Sequence, residues 1–141
     1  MQDIESRTDI DLVMRVFYEH AFVDELIGLI FTDVARLDIE KHLPIIGDFW
    51  ASVLFGDPAY STRGRDPLEV HHLLDLKVEL KDEHFRRWLD LFYGSIDSEF
   101  AGPRSEFLKA RAKAIAGRIL SYIVERRCPV VEASATRDRS I

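Results

Sequence analysis

The chain has 141 residues, 47% hydrophobic and 31% charged, the size and composition of one globular domain rather than a disordered chain. A single cysteine, Cys128, excludes an internal disulfide framework and any CxxC redox or zinc pair, and it favours a reducing compartment. Nineteen Lys and Arg against 25 Asp and Glu give a net charge of −6, which argues against a dedicated nucleic-acid binder.

The charge is uneven. Residues 1–103 hold 21 acidic and 10 basic groups, whereas residues 104–127 hold 7 basic and 2 acidic. A solvated basic helix face explains this, and a docking surface for an acidic partner is the rival reading. Apolar stretches are too short to span a membrane, and the acidic start Met-Gln-Asp-Ile-Glu-Ser-Arg lacks the apolar core of a signal peptide. A soluble, cytoplasmic monomer is expected.

In chain order, Ile10, Val13 and Phe17, widened by Leu12 and Val16, predict an amphipathic helix over 8–20, with Thr8 or Asp9 as cap. A short helix is expected near 23–31, from Leu26, Ile27, Ile30 and Phe31. The next lies within 39–55, where His42, Ile46, Phe49 and Val53 share a face. Pro44 restricts Leu43 and favours a start near there, leaving His42 at the helix mouth; Gly56 is a stop signal. Residues 56–66 read as a loop, and Asp66-Pro67 opens a short helix over 67–75 that carries His71 and His72. Asp82 is expected to cap the clearest helix, 83–100, striped by Phe85, Trp88, Leu89, Phe92, Ile96 and Phe100. Gly102-Pro103 breaks the pattern, and a last helix follows over 106–126. Residues 1–127 thus form the domain, and 128–141, with Pro129 and little periodicity, read as a disordered tail. Nothing alternates as a strand does, so the fold class is all-α.

Phosphate-binding glycine loops, HExxH and GxSxG are absent, and only Glu69-Val70-His71-His72 has the Glu-x-x-His spacing that a di-iron bundle needs twice. The notable feature is aromatic load combined with histidine placement. His42 and His71 each open an apolar helical face, and Tyr18 and Trp88 also sit on apolar stripes. Each histidine alone reads as a hydrogen-bonded core residue. Together the four suggest a polar cluster in a greasy pocket, suited to a flat apolar cofactor held through one imidazole.

In order along the chain stand Val16-Phe17-Tyr18, Ile27-Gly28-Leu29-Ile30-Phe31, His42-Leu43-Pro44-Ile45-Ile46-Gly47-Asp48-Phe49-Trp50, Leu54-Phe55-Gly56, Pro67-Leu68-Glu69-Val70-His71 and His84-Phe85-Arg86-Arg87-Trp88-Leu89-Asp90-Leu91-Phe92. With this set the chain resembles the truncated haemoglobins of the third group, from Ile4 to about Tyr122. The resemblance implies a two-over-two helical sandwich enclosing haem b. It implies His71 as the iron ligand, with adjacent His72 the competing choice. It also implies a distal side of Tyr18, His42 and Trp88, Phe31 against the porphyrin, and walls of Phe17, Ile46, Phe49, Leu54 and Phe92.

Iron needs a neutral imidazole nitrogen, and a gas that gains negative charge on binding attracts phenol and indole donors, whereas carbon monoxide gains little. Haem carboxylates call for cations and hydroxyls. Tyr60, Arg63 and Arg65, just before the short helix, are candidates, and solvated loop arginines are the alternative. His20 and His84 read as surface or helix-end residues. The expected function is reversible binding of dioxygen, nitric oxide and carbon monoxide, for scavenging or delivery, with an unidentified reductase. The alternatives are a nitric oxide dioxygenase or peroxidase-like enzyme and, remotely, a haem-free helical interaction domain.

Overall fold

The computed structural model describes residues 1–135, with side chains as far as Arg127. Five α-helices follow in order: α1 (Arg7–Ala21), α2 (Ile39–Phe55), α3 (Pro67–Asp75), α4 (Asp82–Asp97) and α5 (Pro103–Ala135). A π-helical turn (Ile30–Val34) precedes α2, and a 3-10 turn (Ser61–Arg63) precedes α3. No strand occurs among the described residues. The helices α1 and α2 form one pair and α4 and α5 the other, with α1 packed on α4; this is a two-over-two sandwich, and α3 lies against α5.

The core between the pairs is aliphatic and aromatic. Ile10, Val13, Phe17, Trp50, Phe92, Ile96 and Leu108 are each at most 2% exposed, so their apolar area is removed from water almost completely. The N-terminal segment is stapled to the start of α5. Asp3 accepts bonds from the backbone N–H of Arg104 and Ser105 and from the Ser105 hydroxyl. Burial alone would raise its pKa, but these hydrogen bonds bring it down to about 2.

Three elements differ from the sequence reading. Residues 22–27 do not make the α-helix expected over 23–31. The buried carboxylate of Asp24 instead accepts from the N–H groups of Leu26 and Ile27 and pairs with Arg87, which sets a turn. Gly28 is required there, because a Cβ would stand 2.8 Å from the Phe22 carbonyl oxygen.

In α2 the helix begins at Ile39, before Pro44 rather than at it. The Asp38 side chain caps the N–H groups of Glu40 and Lys41, and Pro44 costs the helix one donor without breaking it. Finally, α5 continues to Ala135, past the Cys128 and Pro129 at which the sequence reading places a disordered tail. Residues 136–141 of that tail lie outside the described residues.

Candidate functional site

A cavity of about 420 Å³ lies among the helices, within the volume range of small-molecule and cofactor sites. It collects side chains distant in sequence: Tyr18 and Phe17 from α1, Phe31 from the π-turn, His42, Ile46 and Phe49 from α2, His71 from α3, and Trp88 and Phe92 from α4. Tyr60 and Arg65 reach it from the loop before α3, and Tyr60 packs edge-on to Phe49 with ring centroids 5.1 Å apart.

His71 is fixed by its own helix. Its Nδ1 lies 2.6 Å from the Pro67 carbonyl oxygen. A carbonyl only accepts, so Nδ1 carries the proton and Nε2 keeps its lone pair as the atom free for a ligand. Burial lowers the His71 pKa, outweighing the carbonyl's opposite pull, and the Arg65 charge acts in the same direction as burial. The imidazole is therefore neutral near pH 7, as a metal ligand must be.

Adjacent His72 does not line the cavity. Its Nδ1 is buried without a hydrogen-bond partner, and the ring meets Tyr122 edge-on. The 100° step of the helix sends the two rings to different sides, one toward the cavity and one toward α5.

Across the cavity, the Tyr18 hydroxyl and His42 Nε2 are 2.9 Å apart. Burial pushes the Tyr18 pKa up, so the phenol stays protonated. Burial, helped by the charges of Arg65 and His71, pulls His42 down to about 4. If His42 donates from Nε2, the Tyr18 hydroxyl is left free to donate elsewhere; if Tyr18 donates, His42 accepts. Trp88 stacks on Phe92, with centroids 5.0 Å apart and planes 10° apart, and more loosely on Trp50.

Two residues expected at the site are not brought to it. Arg63 turns to Asp48, Nε to Oδ2 2.8 Å, where it joins Arg7 around one carboxylate. Leu54 packs against the main core, since twelve residues on from His42 is about 120° around the helix.

Other wall residues were not assigned to a site by the sequence reading. Leu74, Leu80, Phe85, Ile115, Ile119, Arg36, Lys41 and His84 also line the cavity. Ile115 and Ile119 lie four residues apart in α5, an apolar spacing that a wall shares with an ordinary core. His84 sits at the start of α4, where its Nδ1 accepts from the Lys81 N–H.

No protein-family model matches the chain. It is 32% identical over 114 residues to a group 3 truncated haemoglobin of Campylobacter jejuni, an alignment covering 79% of this chain and 85% of that one. The crystal structure of a group III truncated haemoglobin from Campylobacter jejuni superposes with a TM-score of 0.74 at 27% identity, covering 87% of this chain and 95% of that chain. Sequence and architecture agree, and the chain belongs to the truncated haemoglobins, in their third group.

Proposed function

We propose that the chain binds haem b through His71 and uses it to bind small diatomic gases reversibly, for scavenging or delivery of dioxygen or nitric oxide. The observation that carries this reading is His71 Nδ1 held 2.6 Å from the Pro67 oxygen on the wall of an apolar cavity. Among the described residues no three His, Cys, Asp or Glu side chains gather as an ion site. An iron held here must therefore bring most of its ligands with it, as a tetrapyrrole does.

Bound haem would supply an iron centre able to bind a gas. The chain's own residues do the rest. The walls of Phe17, Phe31, Ile46, Phe49 and Phe92 exclude water. Tyr18 and Trp88 are hydrogen-bond donors on the same cavity, and a donor favours dioxygen over carbon monoxide. Tyr60 and Arg65 suit haem carboxylates. Among the described residues no helix is long and apolar enough to cross a membrane. The reading carries a cytoplasmic monomer served by an external reductase.

A second reading is a haem enzyme that converts nitric oxide and dioxygen to nitrate or consumes peroxide. His42 favours it by position, because its Nε2 lies 2.9 Å from the Tyr18 hydroxyl on the cavity wall, a hydrogen-bonded pair on the side across from His71.

The test is spectroscopic. Purified protein should show a Soret band that shifts on reduction and again on adding carbon monoxide. His71→Gly should lose the haem or hold it weakly, with recovery on adding imidazole, whereas His72→Gly should keep it. No Soret band after reconstitution sinks the haem reading, and loss confined to His72→Gly assigns the ligand to the neighbouring residue.

A further inference from the structure

The short helix α3 carries two neighbouring imidazoles on two different stripes. Pro67, Val70, His71 and Leu74 line the cavity. Glu69, His72 and Asp75, three residues apart, form a second stripe that meets Tyr122 and Arg127 of α5. Turning α3 by one residue, about 100°, would bring His72 to the place of His71 and Asp75 to the place of Leu74. Apolar packing opposes that turn weakly, since the helix has no fully buried residue. His72 does not oppose it at all. Its Nδ1 is buried without a hydrogen-bond partner, so the present orientation leaves a polar atom unsatisfied, which is unfavourable.

The opposition comes from α5. The Tyr122 hydroxyl donates to Glu69 Oε2 at 2.8 Å, and the Arg126 guanidinium lies over the Tyr122 ring at 3.3 Å. At the far end of α3, Arg127 Nε donates to Asp75 Oδ2 at 3.1 Å, and the same carboxylate accepts from the Leu80 N–H at 2.8 Å. The Asp75 side chain is 6% exposed. The turn would take it from Arg127 and set a charge against an apolar wall, which is strongly unfavourable.

We propose that the Glu69–Tyr122 and Asp75–Arg127 ties are a register lock on α3, which presents His71 and not the adjacent His72 to the cofactor. The assignment rests on the haem reading above. Tyr122 and Asp75 are then positioning residues, which act through the orientation of the helix and do not touch the cofactor.

The experiment loads haem into wild type, His71→Gly, His71→Gly with Tyr122→Phe and Asp75→Ala, and that triple variant with His72→Gly added. Haem loss to excess apomyoglobin is timed without added imidazole. The iron–histidine stretching band of the ferrous forms is recorded by resonance Raman. His71→Gly should lose haem fast and show no such band. Releasing both ties should restore the band, because His72 is then able to turn inward. It should also slow haem loss by about 10-fold, the scale of one hydrogen bond to a charged group no longer opposing the turn. Adding His72→Gly should abolish both effects. His71→Gly with Tyr122→Phe alone, a change that keeps the packed ring, should move in the same direction by less, and circular dichroism of the haem-free forms checks the fold.

Haem loss from the triple variant and from His71→Gly/Tyr122→Phe that is as fast as from His71→Gly, or faster, overturns the lock, because the ties then only brace α3. A restored band that survives His72→Gly also overturns it, since another side chain has then reached the iron. Both results leave the haem reading standing on the wild-type spectrum, whereas a wild-type chain that takes up no haem overturns both.

Discussion

At the residue scale, the Tyr18–His42 contact has a titratable side. His42 is half-buried, and its pKa falls from 6.5 to about 4, first through burial and then through Arg65 and His71. An unfolded chain would protonate this imidazole near 6.5, while the folded one resists until about 4. Between those values the unfolded state binds more protons, so stability falls as the pH drops through the window and is restored above it. His71 is shifted in the same direction by its own burial. In the haem-free protein, His42→Gln should remove the first contribution and keep a polar partner for Tyr18. Urea unfolding at pH 7.5, 6, 5 and 4.5 should show wild type losing about 1–2 kcal/mol more than the variant across the window, a figure reduced for the partial solvent exposure of the ring. Parallel curves for the two proteins would mean that His42 titrates alike folded and unfolded.

At the element scale, α1 and α2 are tied through Arg7, whose guanidinium lies across Gly47 to reach Asp48 on α2 at 2.6 Å. A Cβ at Gly47 would stand 2.5 Å from Arg7 Nη2, so the arginine must move and the buried Asp48 carboxylate keeps only Arg63. Alanine is otherwise the better helix former by about 1 kcal/mol. Gly47→Ala should therefore destabilise wild type by about 0.5–2 kcal/mol, yet stabilise an Arg7→Ala background by up to about 1 kcal/mol. The same sign in both urea series would show that Arg7 yields freely. Contacts of this kind mark the limit of what the sequence shows. The stripes of α1 and α4 and the caps Asp66 and Gly56 are local signals, and they locate most of the fold. Asp24 draws residues 22–27 into a turn through a partner 63 positions away, Arg87. Asp48 likewise takes Arg63 away from the cavity, and the Asp38 carboxylate, accepting from the N–H groups of Glu40 and Lys41, starts the helix ahead of Pro44. The residues Tyr18, His42, His71 and Trp88 were legible because polar groups stand out on apolar stripes. Leu74, Leu80, Ile115 and Ile119 were not, because a cavity wall and a packed core have the same pattern.

At the scale of the whole molecule, every helix supplies part of the cavity wall, but α3 is held least firmly without a cofactor. It has no fully buried residue. Its anchors are the Tyr122 hydroxyl on Glu69 at 2.8 Å, the Arg127–Asp75 pair, and the half-buried Leu68 and Leu74 against the small cluster of Leu80, Ile119 and Ile123. By contrast, α1 and α4 contribute Phe17, Phe92 and Ile96 to the main core and do not depend on the cavity contents to stay buried. Regions with few buried apolar contacts open locally at low free energy. A cofactor bound through His71 adds a bond to α3 and fills the space beside it, and tight binding adds several kcal/mol to global stability by mass action. Hydrogen exchange measured with and without haem should therefore show its largest gain in protection over residues 67–75 and the preceding loop. The gain should be smaller in the first half of α5, where Leu108 and Ala112 are buried in either state. The haem-free protein should also melt lower, bind a hydrophobic dye, and lose helical signal by about the content of α3 before the main transition. Uniform protection across all five helices would mean that the cavity is an integral part of the core, and protection confined to α1 and α2 would place the anchoring bond on the Tyr18–His42 side.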